Sequence, residues 1–552
     1  MWSESSGQRR DNEDMSGKPG VSTQGRPSCD SGIQTQQQRW QRKFRKTSVR
    51  NREKQLDDGQ DHTIRVWSYL WAHISHSLDV GSVNLDWRAR FSLFMLWSVR
   101  SVSQPLKHFG RWVEKAINLC ASNGGILRTL YTLSMDPQGL VDPSEDSESY
   151  LTFNGHMEPR IRLLQAPSSQ RLCLSCPDSK AVADVCAMAS NVAYENPKFI
   201  EFVVNQNWKM HLLGTYNCWN EFQKKISTQA FIFADRETDA GAIVLAFRGT
   251  EAFNAYDWCT DLDFSWYELP QLGRVHLGFL EALGLGDRTR MQSFQRLKQN
   301  IYENSRTPLP QTPTSGLPDF VLSDETKLLA YDHISAELVT ILRNHRNAKL
   351  YITSHSLGGA LATLFTAMLF YNREENQVFY NTEDDVARRL AALYTFGQPR
   401  VGDKSFASFM DTSLNKPTMR YFRVVYNNDI VARVPFDNSL FGFKHFGNCC
   451  YFTYNYTLQI LPDEPFPNFL SPVYMVLSRL YALFELVQSF FMSYRYGGEF
   501  SETRLSTVAR IAGLLVPGIA GHSLVNYINC VRLGPDHLDP ACLQNTEWDK
   551  SQ

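Results

Sequence analysis

The most constraining feature of the sequence is a short polar turn between an apolar run and a helix-like segment. Residues Thr353–Ala360 read Thr-Ser-His-Ser-Leu-Gly-Gly-Ala, and small and apolar side chains continue to Phe370. A serine on a sharp strand-to-helix turn has its hydroxyl raised into a cleft, and small residues two positions away on each side relieve the crowding. Gly358 is one of them, and Ser354 stands where glycine is usual. We therefore predict that Ser356 is a nucleophile, the alternative being a helix N-cap.

The pattern around this turn is typical of an α/β fold. After about residue 167, short apolar runs alternate with segments of helical periodicity, as in Lys327–Leu342. Together with the turn at Ser356, this alternation predicts an α/β-hydrolase fold. The expected strands are Ala242–Phe247, Leu350–Thr353, Leu390–Phe396 and Tyr421–Tyr426.

A serine needs a general base and an orienting carboxylate, and in this fold the chain order is Ser, Asp, His. Asp429 directly follows a strand-like run, at the edge where α/β sheets place their sites, so we predict that it is the acid. The other downstream candidates lie in loops or turn starts, where capping or solvation is the usual role: Asp384, Asp385, Asp403 and Asp437.

Three histidines follow Asp429 in the chain. His522 lies in a glycine-bounded loop that leads into a helix, and such a loop can present an imidazole above the serine. We predict that His522 is the base, with His445 and His537 as alternatives. His355 neighbours the serine, but we expect it to point away and to pack.

Acyl transfer also needs donors for a developing oxyanion. One expected donor is the backbone N–H of Leu357, directly after the serine. The second is the backbone N–H of Thr250, with its hydroxyl as a further candidate, because Gly249 permits a tight turn at the end of the Ala242–Phe247 strand; an ordinary turn residue is the alternative. This chemistry requires no metal and no cofactor.

Composition limits the other function classes. Lys and Arg total 56 and Asp and Glu total 57, and this balance argues against a nucleic-acid-binding protein with a global positive field.

No apolar segment opens the chain, so we expect no secretory signal and mostly reduced thiols. Cys173 and Cys176 form one CxxC pair without the second pair that a zinc site needs. A basic cluster between Arg39 and Lys54 is interpreted as a solvated tail, a lipid contact or an address signal.

Two apolar segments are too short or too polar to be simple membrane spans. Phe91–Val99 is flanked by arginines and suits a helix at a lipid interface, or one buried against the main domain. The second segment, Phe469–Ser493, is almost entirely apolar, but polar residues recur every seven positions at Ser471, Ser478 and Glu485. On a helix they would form one narrow polar strip, which we call the polar line. That helix is predicted either to be buried between lobes or to dip into a lipid surface.

Five motifs, in order, resemble the class 3 (fungal-type) lipase family over roughly residues 180 to 535. They are Ala246–Thr250, Val275–Phe279, Ser354–Gly359, Tyr394–Gly402 and Asn428–Pro435. Asp257–Asp261, Lys444–Gly447 and the helical insertion before His522 are similar to its plant oil-body lipase branch. Two positions depart from the family pattern: Ser354 replaces the glycine of the turn, and Ala432 stands where proline often occurs.

The resemblance implies a triad of Ser356, Asp429 and His522, an oxyanion hole of Thr250 and Leu357, a structural His445, and a lid at residues 251–258. It implies a triacylglycerol lipase, a carboxylic ester hydrolase at a lipid-droplet or membrane surface on the cytoplasmic side. A phospholipase A1 or galactolipase of the same fold, and a non-catalytic lipid-droplet binding protein, are the alternatives.

The predicted organisation has three parts. Residues 1–60 form a disordered polar and basic tail, and residues 61–165 form a helical, membrane-associating region and linker. Residues 166–545 form the hydrolase domain, in which 465–500 are an apolar helical insertion. No nucleic-acid partner is expected.

Overall fold

The computed structural model describes residues 87–165, 177–251, 265–287, 327–375, 385–414, 420–435, 437, 442–465, 472–516 and 518–538. They belong to one unit, Asp86–Gln552. The predicted tail, the CxxC pair, Asp384 and residues 252–258 of the predicted lid lie outside the described residues. The domain boundaries at residues 60 and 165 stay predictions.

A mixed, mostly parallel sheet runs through the hydrolase part of the chain. Its strand order in the described residues is β1-β2-β3-β6-β7-β9-β11-β12, and a smaller sheet has the order β10-β8-β5-β4. The strands are β1 His211–Asn220, β2 Lys225–Ala234, β3 Ala242–Phe247, β4 Trp266–Leu269, β5 Gly273–His276, β6 Lys349–His355, β7 Leu390–Phe396, β8 Gly402–Asp403, β9 Arg420–Tyr426, β10 Phe443–Lys444, β11 Cys449–Phe452 and β12 Leu458–Leu461. This sheet confirms the predicted α/β-hydrolase class and its expected strands.

The register of the parallel strands aligns their carboxyl ends at one edge. Phe247 of β3 pairs with Ser354 of β6, Ser354 pairs with Thr395 of β7, and Phe396 pairs with Val424 of β9. Loops that leave these strands therefore start side by side, which is where α/β sheets bind ligands.

Both faces of the central strands are buried, which explains their continuous apolar sequences. In β3, Ile243, Leu245 and Phe247 belong to the core on one side of the sheet, and Val244 belongs to the core on the other. This alternation is the two-residue period of a strand.

Helices cover both faces of the sheet. They are α1 Trp87–Ser122, α2 Ile126–Met135, α3 Phe153–Met157, α4 Lys180–Val192, α5 Pro197–Glu201, α6 Leu277–Ala282, α7 Ala330–Asn344, α8 Leu357–Glu375, α9 Val386–Arg389, α10 Lys404–Leu414, α11 Pro472–Tyr496, α12 Arg504–Gly513 and α13 Leu524–Leu533. Within the described ranges, no helix combines the length and the apolar character needed to cross a bilayer.

The predicted apolar segments lie in two of these helices, and a third helix shares their character. Phe91–Val99 is part of the long helix α1. Helix α2 buries only Thr129 and exposes its large apolar side chains. Helix α11 begins at Pro472, as tolerated for proline in a first turn; eight of its large apolar side chains are exposed, whereas Met492 is buried. The alternative of a helix buried between lobes is therefore wrong for α11.

Residues 150–165 are hydrogen-bonded to the hydrolase body. The buried Glu195 carboxylate accepts hydrogen bonds from the Thr152 backbone N–H at 2.8 Å and from the Thr152 hydroxyl at 2.6 Å. At the other end, Arg532 of α13 donates to the Leu163 carbonyl oxygen at 2.7 Å and pairs with Asp184 of α4. These contacts attach the segment of residues 150–165 to the hydrolase body.

We expect Glu195→Gln to change the pH dependence of stability. Burial raises the pKa of the Glu195 carboxyl from 4.5 to about 7, so the folded chain keeps a proton there that the unfolded chain releases above pH 4.5. The free energy of unfolding of the wild type should therefore fall, relative to Glu195→Gln, as pH rises from 4.5 to 7, by up to about 3 kcal/mol.

Chemical unfolding at pH 5 and pH 8 measures this difference, and Glu237→Gln, at an exposed position, is the control. An equal pH dependence in wild type and Glu195→Gln would contradict the assignment.

Candidate active site

Ser356 lies on a strained turn between β6 and α8. Its φ is 60°, in the left-handed region that residues with a side chain adopt only at a cost of roughly 1 kcal/mol or more. The turn is held by the Ser356 N–H, which donates to the Phe396 carbonyl oxygen at 2.9 Å, and by the Gly359 N–H, which donates to the Ser356 carbonyl oxygen at 2.8 Å. The strained backbone directs the serine side chain away from the helix axis.

Ser354 fits the position where glycine is usual. Its hydroxyl donates to the Phe247 carbonyl oxygen at 2.6 Å and so links β6 to β3. A Cβ on Gly358 would lie 2.0 Å from this hydroxyl and 2.8 Å from the Arg248 carbonyl oxygen, so only glycine fits at the second small position of the turn. The substitution leaves the geometry of the turn in place.

The three side chains predicted from the sequence form one buried hydrogen-bonded chain. His522 Nε2 lies 2.7 Å from Ser356 Oγ, and His522 Nδ1 lies 2.8 Å from Asp429 Oδ2. These side chains come from three different loops at the carboxyl edge of the sheet, where the strand register brings the loops together.

The Asp429 carboxylate is held by two further donors. Its Oδ1 accepts a hydrogen bond from the Val431 N–H at 2.8 Å, and its Oδ2 accepts one from the Tyr527 hydroxyl. Burial and the adjacent carboxylate raise the pKa of Tyr527 well above its usual value, so the phenol stays protonated and donates. The sequence gives no signal for Tyr527, because it is one apolar-face residue of α13 among several.

Gly397 packs closely against the Asp429–His522 pair, and this packing requires a glycine. Its φ is +61°, and a Cβ there would lie 2.6 Å from Asp429 Oδ2 and 2.9 Å from His522 Nδ1. Only glycine satisfies both the backbone conformation and the approach.

His355 packs, as expected, and its ring nitrogens also make two contacts that the sequence does not predict. Its ring stacks on the His522 ring with centroids 4.4 Å apart, and its Nε2 lies 2.9 Å from the His522 carbonyl oxygen. Its Nδ1 lies 2.8 Å from the Tyr194 hydroxyl. Burial lowers the pKa of His355 well below its usual value. The neutral ring therefore donates from Nε2 to the carbonyl, accepts at Nδ1 from Tyr194, and holds the loop that carries His522.

Thr250 and Leu357 lie at the two sides of the same turn. A Cβ on Gly249 would be 2.5 Å from the His355 carbonyl oxygen, so the end of β3 contacts the turn directly. Among the residues that the structure describes, the buried Thr250 hydroxyl has no hydrogen-bond partner. Leu357 begins α8, where a backbone N–H has no partner inside the helix.

The alternative acids and bases have other partners. His445 Nε2 contacts the carbonyl oxygen of Ala432, the second departure from the family pattern, at 2.8 Å, and His537 contacts Asp178 at 3.0 Å. The three alternative acids that the structure describes cap helices or pair with lysine. Asp385 accepts from the Arg388 N–H, Asp403 from the Phe406 N–H, and Asp437 from Lys444.

Known proteins match both the central region and most of the chain. The family described as Lipase (class 3) matches residues 244–439. The triacylglycerol lipase OBL1 of Nicotiana tabacum is 40% identical over 489 residues, covering 81% of this chain and 83% of its own. The chain belongs to the class 3 lipase family.

Its plant relatives extend the likeness beyond the central region. The triacylglycerol lipase OBL1 of Ricinus communis is 42% identical over 476 residues, covering 81% of this chain and 86% of its own. Among solved structures, the Rhizomucor miehei triacylglyceride lipase covers 44% of this chain and 66% of its own, with 22% identity and a TM-score of 0.29. The family and its plant branch, predicted from the motifs, are confirmed.

We expect Gly397→Ala to reduce turnover of this lipase by about 100-fold. The added Cβ would push the Asp429–His522 pair away by about a few tenths of an ångström or more, and this displacement would misplace the base. Gly442→Ala is the matched control, since Gly442 has a similar φ of +66° and nothing within 4 Å of its Cβ position. Hydrolysis of a soluble short-chain ester measures both variants. Equal losses in the two variants would mean that backbone strain, and not the contact with Asp429, is responsible.

Proposed function

We propose that this chain is a triacylglycerol lipase that acts as a serine hydrolase at a lipid surface. The observation that carries the proposal is the continuous hydrogen-bonded chain from Ser356 through His522 to Asp429. Such a chain converts a weak hydroxyl nucleophile into a strong one.

The mechanism assigns one role to each side chain. Asp429 accepts the Nδ1–H of His522, so the Nε2 lone pair faces the Ser356 hydroxyl and removes its proton during attack on the ester carbonyl. The imidazolium then protonates the leaving alcohol, and an acyl-enzyme remains on Ser356. Water, activated by the same imidazole, releases the fatty acid. The residues perform each step without a metal or cofactor.

Charge on the carbonyl oxygen is stabilised by two donors. We assign them to the Leu357 N–H and to Thr250, whose hydroxyl has no partner among the described residues. Donors that are fixed before reaction stabilise the transition state without reorganisation.

Triacylglycerol is favoured as substrate by the names of the plant relatives, both of which are called triacylglycerol lipases. The exposed apolar side chains of α2 and α11 support action at a lipid-droplet or membrane surface, with the cytoplasmic side as the proposed location. The intact turn at Ser356 favours a catalytic lipase over a non-catalytic droplet protein, because Ser354 is accommodated. A phospholipase A1 or galactolipase shares the same triad and is the second candidate.

Purified protein should hydrolyse emulsified triacylglycerol faster than phospholipid or galactolipid, and Ser356→Ala should lose at least about 1,000-fold in rate. Titration of released fatty acid measures all three substrates. Preferred release from phospholipid or galactolipid would establish the second candidate, and equal turnover by Ser356→Ala would remove the enzyme assignment.

Thr250→Val keeps the shape of the side chain and removes its hydroxyl, so kcat should fall by about 100-fold, as for loss of one oxyanion donor. Thr250→Ser keeps the hydroxyl and should stay within about 5-fold of wild type. Steady-state kinetics on a soluble ester distinguish the two. If both variants match wild type, the side chain is not an oxyanion donor.

A further inference from the structure

Helix α11 presents its apolar side to solvent. Its outer side chains are between 48% exposed, at Leu483, and 89% exposed, at Tyr494. A helix on the surface of a water-soluble protein has the opposite arrangement, with its apolar stripe on the core. The exposed set comprises Val476, Leu480, Leu483, Phe484, Val487, Phe490, Phe491 and Tyr494.

The polar line of α11 faces the protein. Ser478 and Ser489 are buried, and Gln488 donates to Asn455 Oδ1 at 2.9 Å. Burial raises the pKa of the Glu485 carboxyl to about 7, which agrees with its inward position. The helix therefore turns its polar line toward the protein, and none of the described residues covers its apolar side.

Helix α12 repeats the arrangement. Ser506, Arg510 and Gly513 are buried, whereas Val508 and Ile511 are exposed. Arg510 donates to Glu502 Oε1 at 2.7 Å and to Asn526 Oδ1 at 2.6 Å, and it lines the same small buried cavity as Glu485. Helices α11 and α12 both turn their polar sides toward the cavity lined by Glu485 and Arg510. Their apolar sides therefore face away from this cavity.

The exposed apolar residues continue to the catalytic loop. Leu515, Val516 and Ile519 are exposed, and the turn Ala520–His522 follows directly. Gly518 lies against the loop of Asp429, since its Cβ would be 2.5 Å from the Asn428 carbonyl oxygen. We call the exposed apolar residues of α11, α12 and 515–519 the α11–α12 face.

The charges of α11 are divided between its two sides. Its exposed charged residues, Arg479 and Arg495, are both basic, whereas its acid, Glu485, lines the inner cavity together with Arg510. The two arginines are 16 positions apart, about 24 Å along a helix. Apolar side chains flanked by arginines match a lipid surface, where the side chains enter the acyl region and the guanidinium groups reach anionic headgroups.

We propose that the α11–α12 face docks this lipase on a phospholipid monolayer that contains anionic headgroups and covers an oil phase. The inference rests on the proposed function, because it gives the lipase the surface by which it reaches its substrate. Docking by this face holds the loop that carries His522 next to the monolayer. A substrate ester can then pass from the oil phase to the triad without entering water.

The test is flotation of the full chain with triolein droplets coated with phosphatidylcholine, with or without phosphatidylglycerol. Ser356→Ala is present throughout, so that the lipid is not consumed. The α11 variant carries Leu480→Ser, Phe484→Ser, Phe490→Ser and Phe491→Ser. The matched control changes four exposed apolar residues elsewhere to serine: Val141, Leu163, Ile226 and Leu328.

The floating fraction of the α11 variant should fall by about tenfold, and that of the control by less than about twofold, because binding scales with the apolar area that enters the lipid. Arg479→Gln with Arg495→Gln should weaken flotation only on droplets that contain phosphatidylglycerol, and high salt should remove this difference. Flotation of the α11 variant equal to that of the control would overturn the proposal.

Two further readouts distinguish lipid docking from misfolding and from self-association. With Ser356 restored, the α11 variant should hydrolyse a soluble short-chain ester at the wild-type rate, which shows that the fold is intact, and lose activity on triolein droplets. Light scattering tests a second copy of the chain as occupant: a dimer that the α11 variant dissociates, with flotation unchanged, would overturn lipid docking. If wild-type protein floats through this face but releases no fatty acid from triolein, docking stands and the proposed substrate fails.

Discussion

The site depends on the in-register pairing of four parallel strands. Because β3, β6, β7 and β9 end at one edge, loops that are far apart in the sequence start side by side. A one-residue slip would reverse the faces of a strand and rotate its loop away. The buried Asp429–His522 hydrogen bond then unites two loops at this edge, and Gly397, at the end of β7, leaves the space in which it forms.

Much of this arrangement could be predicted from local sequence. The strand candidates, the helix after Ser356 and the order of serine, acid and histidine are expressed in residue types and spacing within short segments. The three predicted side chains come together in one hydrogen-bonded chain. The effect of a serine in place of the first glycine of the turn could not be predicted in the same way, because it depends on a hydrogen bond to Phe247 on another strand.

The contributions of Tyr527, His355 and Tyr194 could not be predicted from the sequence. Each acts through a contact between segments distant in the chain, and no local pattern of residue types predicts such a contact. The orientation of α11 is not determined by local sequence for a related reason. Periodicity identifies the polar line but does not say whether water or protein lies beside it, and here the protein contributes the polar partners.

The inward polar line of α11 reverses the usual relation between burial and tolerance to substitution. Core positions of most helices accept one aliphatic side chain for another, while their outer positions vary in polarity. In α11, Gln488 donates to a particular partner, Asn455, and Glu485 lines a cavity together with Arg510, whereas the outer side chains share only their apolar character. Evolutionary drift in this helix should therefore exchange leucine, phenylalanine and valine freely on the outside and leave the serine, glutamate and glutamine positions nearly constant.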